Sequence, residues 1–282
     1  MRSAARPALF AVARFIHQLP SFPGRNRLFT IALRLAQRLG PPVVVEIEGF
    51  SLQLDLRDGL CRRLWVDRVF PQGHALLGLC RPGDVVIDVG ANVGYTALMA
   101  ARAVGPTGRV IAVEPSPRSV ALLELNAERN FPDRIAVVRA ACDETDGTAT
   151  LFVSEYSEES SSLRPESVFG RSHAEIVRTR SLSSLSSEFG VRPDVVKVDV
   201  EGAEWPVLRG LLTNGAPRPR ALIVEAFAGN TRGFGYLPSA MCAWLQDRGY
   251  ALSLTSDRDQ FEYSDSRADG PLLHDVVAVR QE

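Results

Sequence analysis

Lysine is almost missing from this chain of 282 residues. Lys197 is the only one, because the other 31 of the 32 basic residues are arginine. Arginine is larger and planar, and it stays charged in any protein environment. The single lysine therefore indicates a position at which arginine would not fit.

Cysteines and long apolar runs are also scarce. The four cysteines, at positions 61, 80, 142 and 242, show no spacing of a zinc site or a redox motif, which predicts a cytoplasmic protein with ordinary packed thiols. The apolar stretch at residues 9–16 is interrupted by Arg14 and is too short to cross a bilayer. No convincing signal cleavage site follows it, so we predict no transmembrane segment.

Charge is balanced overall but unevenly distributed. A net charge of −1 gives no general reason to expect nucleic acid binding. Residues 1–45, however, contain seven arginines and no acid, so they carry +7 and the rest carries −8. We predict a solvated basic arm, and the alternative is contact with a membrane surface or an acidic partner.

The first part of the chain is predicted to be an appendage, residues 1–80, of a main domain, residues 81–282. Leucine and isoleucine at 28, 31, 35 and 39 have helical spacing and predict an amphipathic helix that ends at the Gly-Pro-Pro sequence 40–42. Residues 43–56 alternate between apolar and polar around Gly49, which predicts a β-hairpin.

Strands and helices alternate from residue 85 onward. Apolar strands are predicted at 85–89, 109–113, 135–140, 195–200 and 221–227, mostly with helices between them. This pattern is typical of an α/β fold with a parallel sheet covered on both faces. An extra strand is predicted at 148–153, followed by a long serine-rich connection at 154–173 that would be a lid or disordered.

The sequence DVGANVG, residues 88–94, ends the first of these strands and opens a helix. Ligands of such sheets bind outside the carboxyl ends of the strands, and Glu114, at the end of the next strand, can accept both hydroxyls of a ribose. A nicotinamide dinucleotide site would need a glycine where Asn92 stands, and Asp88 would repel a pyrophosphate. The turn instead suits a ligand with an amino group and a sulfonium, which predicts S-adenosyl-L-methionine.

The segments VVIDVGANVGYTALMAA, VIAVEPSP, VVKVDVEGAEWPVLRG and PRALIVEAF together resemble the FkbM family of S-adenosylmethionine-dependent methyltransferases, over about residues 52–279. The resemblance implies a class I methyltransferase (Rossmann-like) fold, a seven-stranded mostly parallel sheet whose last hairpin strand is antiparallel. It also implies methyl transfer, most often to a hydroxyl of a sugar, a polyketide or another secondary metabolite.

The resemblance also implies the cofactor contacts. The methionine part would be lined by the turn residues Asp88, Gly90, Ala91, Asn92 and Gly94, with Tyr95 beginning the helix beneath it. The nucleoside would be held by Glu114 at the ribose and by Pro115, Ser116, Cys142 and Asp143 around the adenine. Glu144 and Asp146 compete with Asp143 for the last of these roles.

In this fold the fourth strand ends beside the transferred methyl group. Lys197 and Asp199 are two positions apart and share one face of that strand. A hydroxyl must lose its proton as it attacks, so Asp199 is the first candidate for a base or hydroxyl orienter and Glu201 the second. Glu225, ending the fifth strand, would complete an acidic group. Lys197 is either a structural counter-ion or a direct participant.

Several alternatives stay open. The carboxylates of Asp199, Glu201 and Glu225 could instead bind magnesium, but Lys197 already supplies positive charge, so we predict transfer without a metal. An acidic site could also hold an amine for N-methylation, and a non-catalytic binding protein of the same fold is a third hypothesis. The acceptor is predicted to be a small molecule whose identity the sequence does not reveal.

Overall fold

We describe the protein from a computed structural model. The structure describes residues 43–68, 71–154, 160–168, 170–212, 218–255 and 274–281, with isolated positions between 12 and 31. The predicted basic arm and amphipathic helix lie mostly outside these residues. None of the helices in the described part is long and apolar enough to cross a membrane.

The chain divides into two compact units, Met1–Val69 and Phe70–Glu282. The domain boundary that we predict after residue 80 stays a prediction. In the first unit, strands β1 (Val43–Ile47) and β2 (Phe50–Leu54) pair antiparallel, so the predicted hairpin forms. Helix α1 (Gly59–Asp67) follows, and the side chain of Asp58 caps it by accepting a hydrogen bond from the backbone N–H of Cys61.

The second unit is built on a seven-stranded sheet. Its strands are β3 (Val85–Val89), β4 (Arg109–Glu114), β5 (Ile135–Arg139), β9 (Val195–Val198), β10 (Ala221–Ala226), β11 (Tyr250–Leu254) and β12 (His274–Arg280). They lie in the order β11-β12-β10-β9-β3-β4-β5, and of these seven described strands β12 runs opposite to the other six. The predicted seven-stranded, mostly parallel sheet with an antiparallel last strand is confirmed.

Helices pack against the sheet, and two apolar cores contain residues of both the strands and the helices. The helices are α2 (Pro71–Leu79), α3 (Tyr95–Val104), α4 (Pro117–Asn130), α5 (Leu182–Glu188), α6 (Glu204–Leu212), α7 (Ala228–Thr231) and α8 (Pro238–Gln246). Successive strand residues enter different cores, as with Ile87 and Val196 in one and Val86 and Val195 in the other. The strands are therefore buried on both faces, which explains their continuous apolar sequence.

A smaller sheet of three strands lies beside the main one. It contains β6 (Ala141–Cys142), β7 (Gly147–Ser154) and β8 (Ser172–Arg180) in the order β6-β8-β7. The predicted extra strand is β7, whereas β8 was missed because its apolar positions do not form a buried stripe: Ile176 is 75% exposed. Helix α5 was missed as well, because its sequence LSSLSSE contains four serines.

A buried asparagine fixes the entry to α3. Asn126 of α4 is fully buried, and its side-chain amide donates a hydrogen bond of 2.8 Å to the carbonyl of Val93. This contact ties the turn after β3 to the helix after β4.

We predict that Asn126→Ala lowers the free energy of unfolding by about 1–3 kcal/mol, because the buried carbonyl of Val93 loses this donor. Urea denaturation measures the change. The matched control is Glu128→Ala, an exposed position on the same helix, which should change stability by less than about 0.5 kcal/mol. Equal effects of the two substitutions would contradict the assignment.

Candidate functional site

The turn between β3 and α3 is packed against the end of β9. Gly90 has a φ of +73°, and a Cβ atom there would lie 1.8 Å from the carbonyl oxygen of Asp199. Gly94, with a φ of +94°, would place a Cβ atom 2.6 Å from Cδ1 of Leu123. Both glycines are thus required by contacts within the protein itself, and the turn touches the chain at Asp199.

Lys197 stands at the centre of this junction. Its ammonium donates a 3.0 Å hydrogen bond to the carbonyl of Gly90, and it lies 3.3 Å from Oδ1 of Asp88 and 3.5 Å from Oδ2 of Asp199. Burial alone would lower the pKa of Lys197, but the two carboxylates outweigh it and raise that pKa above its usual value. The lysine is therefore charged and links three parts of the site.

Asp88 lies beneath the turn and is completely buried. Its Oδ2 accepts a 2.6 Å hydrogen bond from the hydroxyl of Thr96, and its Oδ1 faces Lys197. Both oxygens are thus engaged by groups of the protein. A direct contact of Asp88 with a cofactor stays a prediction.

Glu114 is fixed by the backbone at the end of β4. Its Oε2 accepts from the N–H of Asn92 and its Oε1 from the N–H of Ser116, each at 2.9 Å. Asn92 has a φ of +48°, and its buried Oδ1 has no hydrogen-bond donor among the described residues. Ala91 donates its N–H to the carbonyl of Val113. The turn thus presents oxygen acceptors, which fits a ligand that brings amino and hydroxyl donors.

The remaining predicted cofactor residues lie around this turn and beyond β5. Tyr95 is buried at the start of α3, and the hydroxyl of Ser116 accepts from the N–H of Ser119 at the start of α4, just after Pro115. Cys142 is buried in the core, and burial raises the pKa of its thiol. Its side chain is therefore part of the packing, and a contact of Cys142 with a cofactor stays a prediction. Asp143 accepts a hydrogen bond from the N–H of Glu144.

The three candidate carboxylates form a cluster that we call the acidic cup: Asp199, Glu201 and Glu225. One oxygen of each lies within 4.8 Å of the others. Glu225 is 5% exposed, and its burial, followed by the charges of Asp199 and Glu201, raises its pKa well above the usual value. The amide of Asn230 donates to Glu201 and, at 3.5 Å, to Glu225.

The acidic cup also has the ligand types and spacing that could hold a divalent cation. Against this, the ammonium of Lys197 lies 3.5 Å from Asp199 and supplies positive charge at the edge of the cup. Metal-free transfer stays a prediction.

Glu204, which follows the cup in sequence, has a structural role. It is 1% exposed, its Oε1 accepts from the N–H groups of Val200 and Gly202, and its Oε2 accepts from the hydroxyl of Tyr236. These contacts close the turn between β9 and α6. Burial raises the pKa of Glu204 to about 7, although the backbone donors oppose the shift.

Sequence reasoning missed Thr96 and Asn230. Thr96 is eight residues from Asp88, and nothing in its neighbourhood marks it. Asn230 could have been found, because it lies just beyond β10, where the carboxyl ends of the strands place functional groups. The two serines that approach this region, Ser162 and Ser167, were predicted only as parts of the serine-rich connection.

Comparison with known proteins gives a family and several relatives. The pattern of the methyltransferase FkbM domain matches residues 88–252. AMB antimetabolite synthetase AmbE of Pseudomonas aeruginosa is 26% identical in an alignment of 276 residues, which covers 83% of this chain but only 13% of that protein. Hexuronic acid methyltransferase AglP of Haloferax volcanii is 26% identical over 67% of this chain and 75% of its own length. The 31-O-demethyl-FK506 methyltransferase FkbM of Streptomyces tacrolimicus is 28% identical over 59% of this chain and 73% of its own length.

We predict that Glu204 makes stability depend on pH. Its pKa is about 7 in the folded chain and near 4.5 when unfolded, so the folded state binds the proton more tightly. Stability from this group is present below about pH 4.5 and is lost as pH rises through about 7, on the order of 3 kcal/mol. Glu204→Gln keeps the acceptor oxygen without the charge and should remove this loss.

Urea denaturation at pH 5 and pH 8 tests this. The variant should gain stability relative to the wild type at pH 8 but not at pH 5. Glu128→Gln, at an exposed position, is the control and should show the same difference at both pH values. A pH-independent effect of Glu204→Gln would rule out the interpretation.

Proposed function

We propose that this chain, which belongs to the FkbM methyltransferase family, transfers a methyl group from S-adenosyl-L-methionine to a hydroxyl group of a small molecule. The single observation that carries the proposal is the junction of Gly90, Lys197 and Asp199. It puts the half-buried carboxylate of Asp199 against the turn between β3 and α3, which we call the cofactor turn. A sugar, a polyketide or another secondary metabolite is the proposed acceptor class.

The proposed cofactor contacts use the acceptor groups of the turn. Glu114, held by two backbone N–H groups, would receive the ribose hydroxyls, and the Oδ1 of Asn92, to which no described residue donates, would receive a further donor. When bound, S-adenosyl-L-methionine supplies an electrophilic methyl group on a positively charged sulfur. The acidic residues of the turn and of the cup favour a cationic ligand at this edge of the sheet.

Asp199 is the proposed base or orienter of the acceptor hydroxyl. A neutral hydroxyl is a weak nucleophile, and a carboxylate that accepts its proton as the new bond forms makes the oxygen more reactive. Lys197 holds Asp199 from the protein side, with its ammonium 3.5 Å from Oδ2 of Asp199, and a direct contact of Lys197 with the acceptor stays a prediction. Glu201 and Glu225 would receive other donors of the same acceptor.

The names of two relatives support an oxygen acceptor. One is a hexuronic acid methyltransferase and the other a 31-O-demethyl-FK506 methyltransferase, and the latter name specifies an oxygen. N-methylation is the second candidate, favoured by the three carboxylates of the cup, which could hold an amine. Fragmentation of the methylated product by mass spectrometry distinguishes the two.

We predict that Glu114→Ala weakens the binding of S-adenosylhomocysteine by about 1–3 kcal/mol, because the ribose loses a charged hydrogen-bond acceptor. Isothermal titration calorimetry measures the affinity. Glu128→Ala, an exposed substitution on the neighbouring helix, is the control and should bind as the wild type does. If the wild type gives no binding heat at millimolar ligand, the cofactor assignment is wrong.

We predict that Asp199→Asn lowers methyl transfer by roughly 10²–10⁴-fold, because the amide cannot take the hydroxyl proton. The assay follows labelled methyl groups into small-molecule fractions of a cell extract. The affinity for S-adenosylhomocysteine should change little, and Asp247→Asn, at an exposed position, serves as the matched control. Full activity of Asp199→Asn would remove Asp199 from the mechanism, and an inactive wild type would favour a non-catalytic binding protein.

A further inference from the structure

Asn230 is a polar side chain that bridges two carboxylates of the acidic cup. It lies in α7, directly after β10, and is 8% exposed. Its amide nitrogen donates to Oε2 of Glu201 and lies 3.5 Å from Oε2 of Glu225. A single amide group therefore joins an acid of the β9–α6 turn to an acid of β10.

The backbone of Asn230 is itself fixed from two sides. Its carbonyl oxygen accepts a 2.8 Å hydrogen bond from the hydroxyl of Ser167. A Cβ atom on Gly202 would lie 2.7 Å from the same oxygen, so the β9–α6 turn packs directly on it. Ser162 donates to the carbonyl of Glu201 at 2.8 Å. The amide of Asn230 thus points at the two acids from a rigid position.

The chemistry of the cup explains why an amide suits this position. Like charges at this separation repel, which helps to raise the pKa of Glu225 and favours a movement of the side chains of Glu201 and Glu225 away from each other. A hydrogen-bond donor shared by both acids opposes that movement. An amide does so without adding charge, whereas an arginine or a lysine would cancel the negative charge of the cup.

We propose that Asn230 is a positioning residue for the methyl acceptor. It holds Glu201 beside Glu225, so that an acceptor hydroxyl next to Asp199 meets all three carboxylates in one fixed geometry. This inference rests on the proposed function of the same site. In this role Asn230 contacts neither the transferred methyl group nor the cofactor turn.

Three substitutions at this position separate positioning from a structural role. Asn230→Asp keeps the shape but replaces the donor with a fourth carboxylate, Asn230→Ala removes the group, and Asn230→Ser keeps a smaller donor. We expect kcat/KM for the acceptor to fall about 10-fold in Asn230→Ala and about 100-fold or more in Asn230→Asp, with Asn230→Ser above Asn230→Ala. If Asn230 only fills space, the alanine variant should be at least as impaired as the aspartate variant.

The assay uses labelled methyl transfer from S-adenosyl-L-methionine into the extract fraction that the wild type methylates best. Calorimetry with S-adenosylhomocysteine is the second readout, and we expect its Kd to stay within about twofold in all three variants. Arg232→Ala, an exposed neighbour, is the matched control for both measurements. If Asn230→Asp does not fold, the order of serine and alanine decides.

Each outcome has a distinct meaning. An aspartate variant that is more impaired than the alanine variant, with unchanged Kd, supports positioning. Equal or reversed impairment, or a Kd that weakens in parallel with activity, overturns it. If the wild type binds S-adenosylhomocysteine but methylates no fraction, or does not bind it, the proposed function fails and the role of Asn230 fails with it.

Discussion

The buried contact of Lys197 with Asp88 and Asp199 is the interaction on which the site depends. A charged group in a protein interior is costly unless partners compensate it, and here one ammonium compensates a fully buried carboxylate and a half-buried one. The same ammonium donates to the carbonyl of Gly90. Loss of the lysine would leave the charge of Asp88 uncompensated beneath the turn, so the shape of the cofactor side and the position of Asp199 depend on one side chain.

The acidic cup follows from the same distribution of charge. Lys197 compensates Asp199 from within the protein, whereas Glu201 and Glu225 are joined by the neutral amide of Asn230. The cup therefore keeps a net negative character toward any ligand. Such a region attracts hydroxyl and amine donors and the positive sulfur of the proposed cofactor, and it opposes anions.

Much of this architecture could be predicted from the sequence, because β3, β4, β9 and β10 are mostly apolar and carry an acid at or next to their carboxyl ends. The pairing of Lys197 with Asp199 follows from the period of two in a strand. The pairing of Lys197 with Asp88 requires the order of strands, because β3 and β9 are over a hundred residues apart in sequence and become neighbours only in the sheet. Strand β8 was missed for a different reason: its apolar positions do not form a buried stripe, and its place depends on tertiary contacts. Asn230, in contrast, lies just beyond β10 and could have been found there.

The close approach of Gly90 to the carbonyl of Asp199 limits how the site can vary. A side chain at residue 90 would collide with the backbone at residue 199, so the cofactor turn and the end of β9 cannot separate or slide without breaking the junction. The position of Asp199 relative to the turn between β3 and α3 is therefore set by the sheet itself. Differences in acceptor would then arise outside the junction, in segments such as residues 160–168, where the hydroxyls of Ser162 and Ser167 donate to the backbone carbonyls of Glu201 and Asn230. Replacing such a hydroxyl-to-carbonyl contact would leave the buried pair of Lys197 and Asp88 in place, so variation in this segment would act first on Asn230 and Glu201.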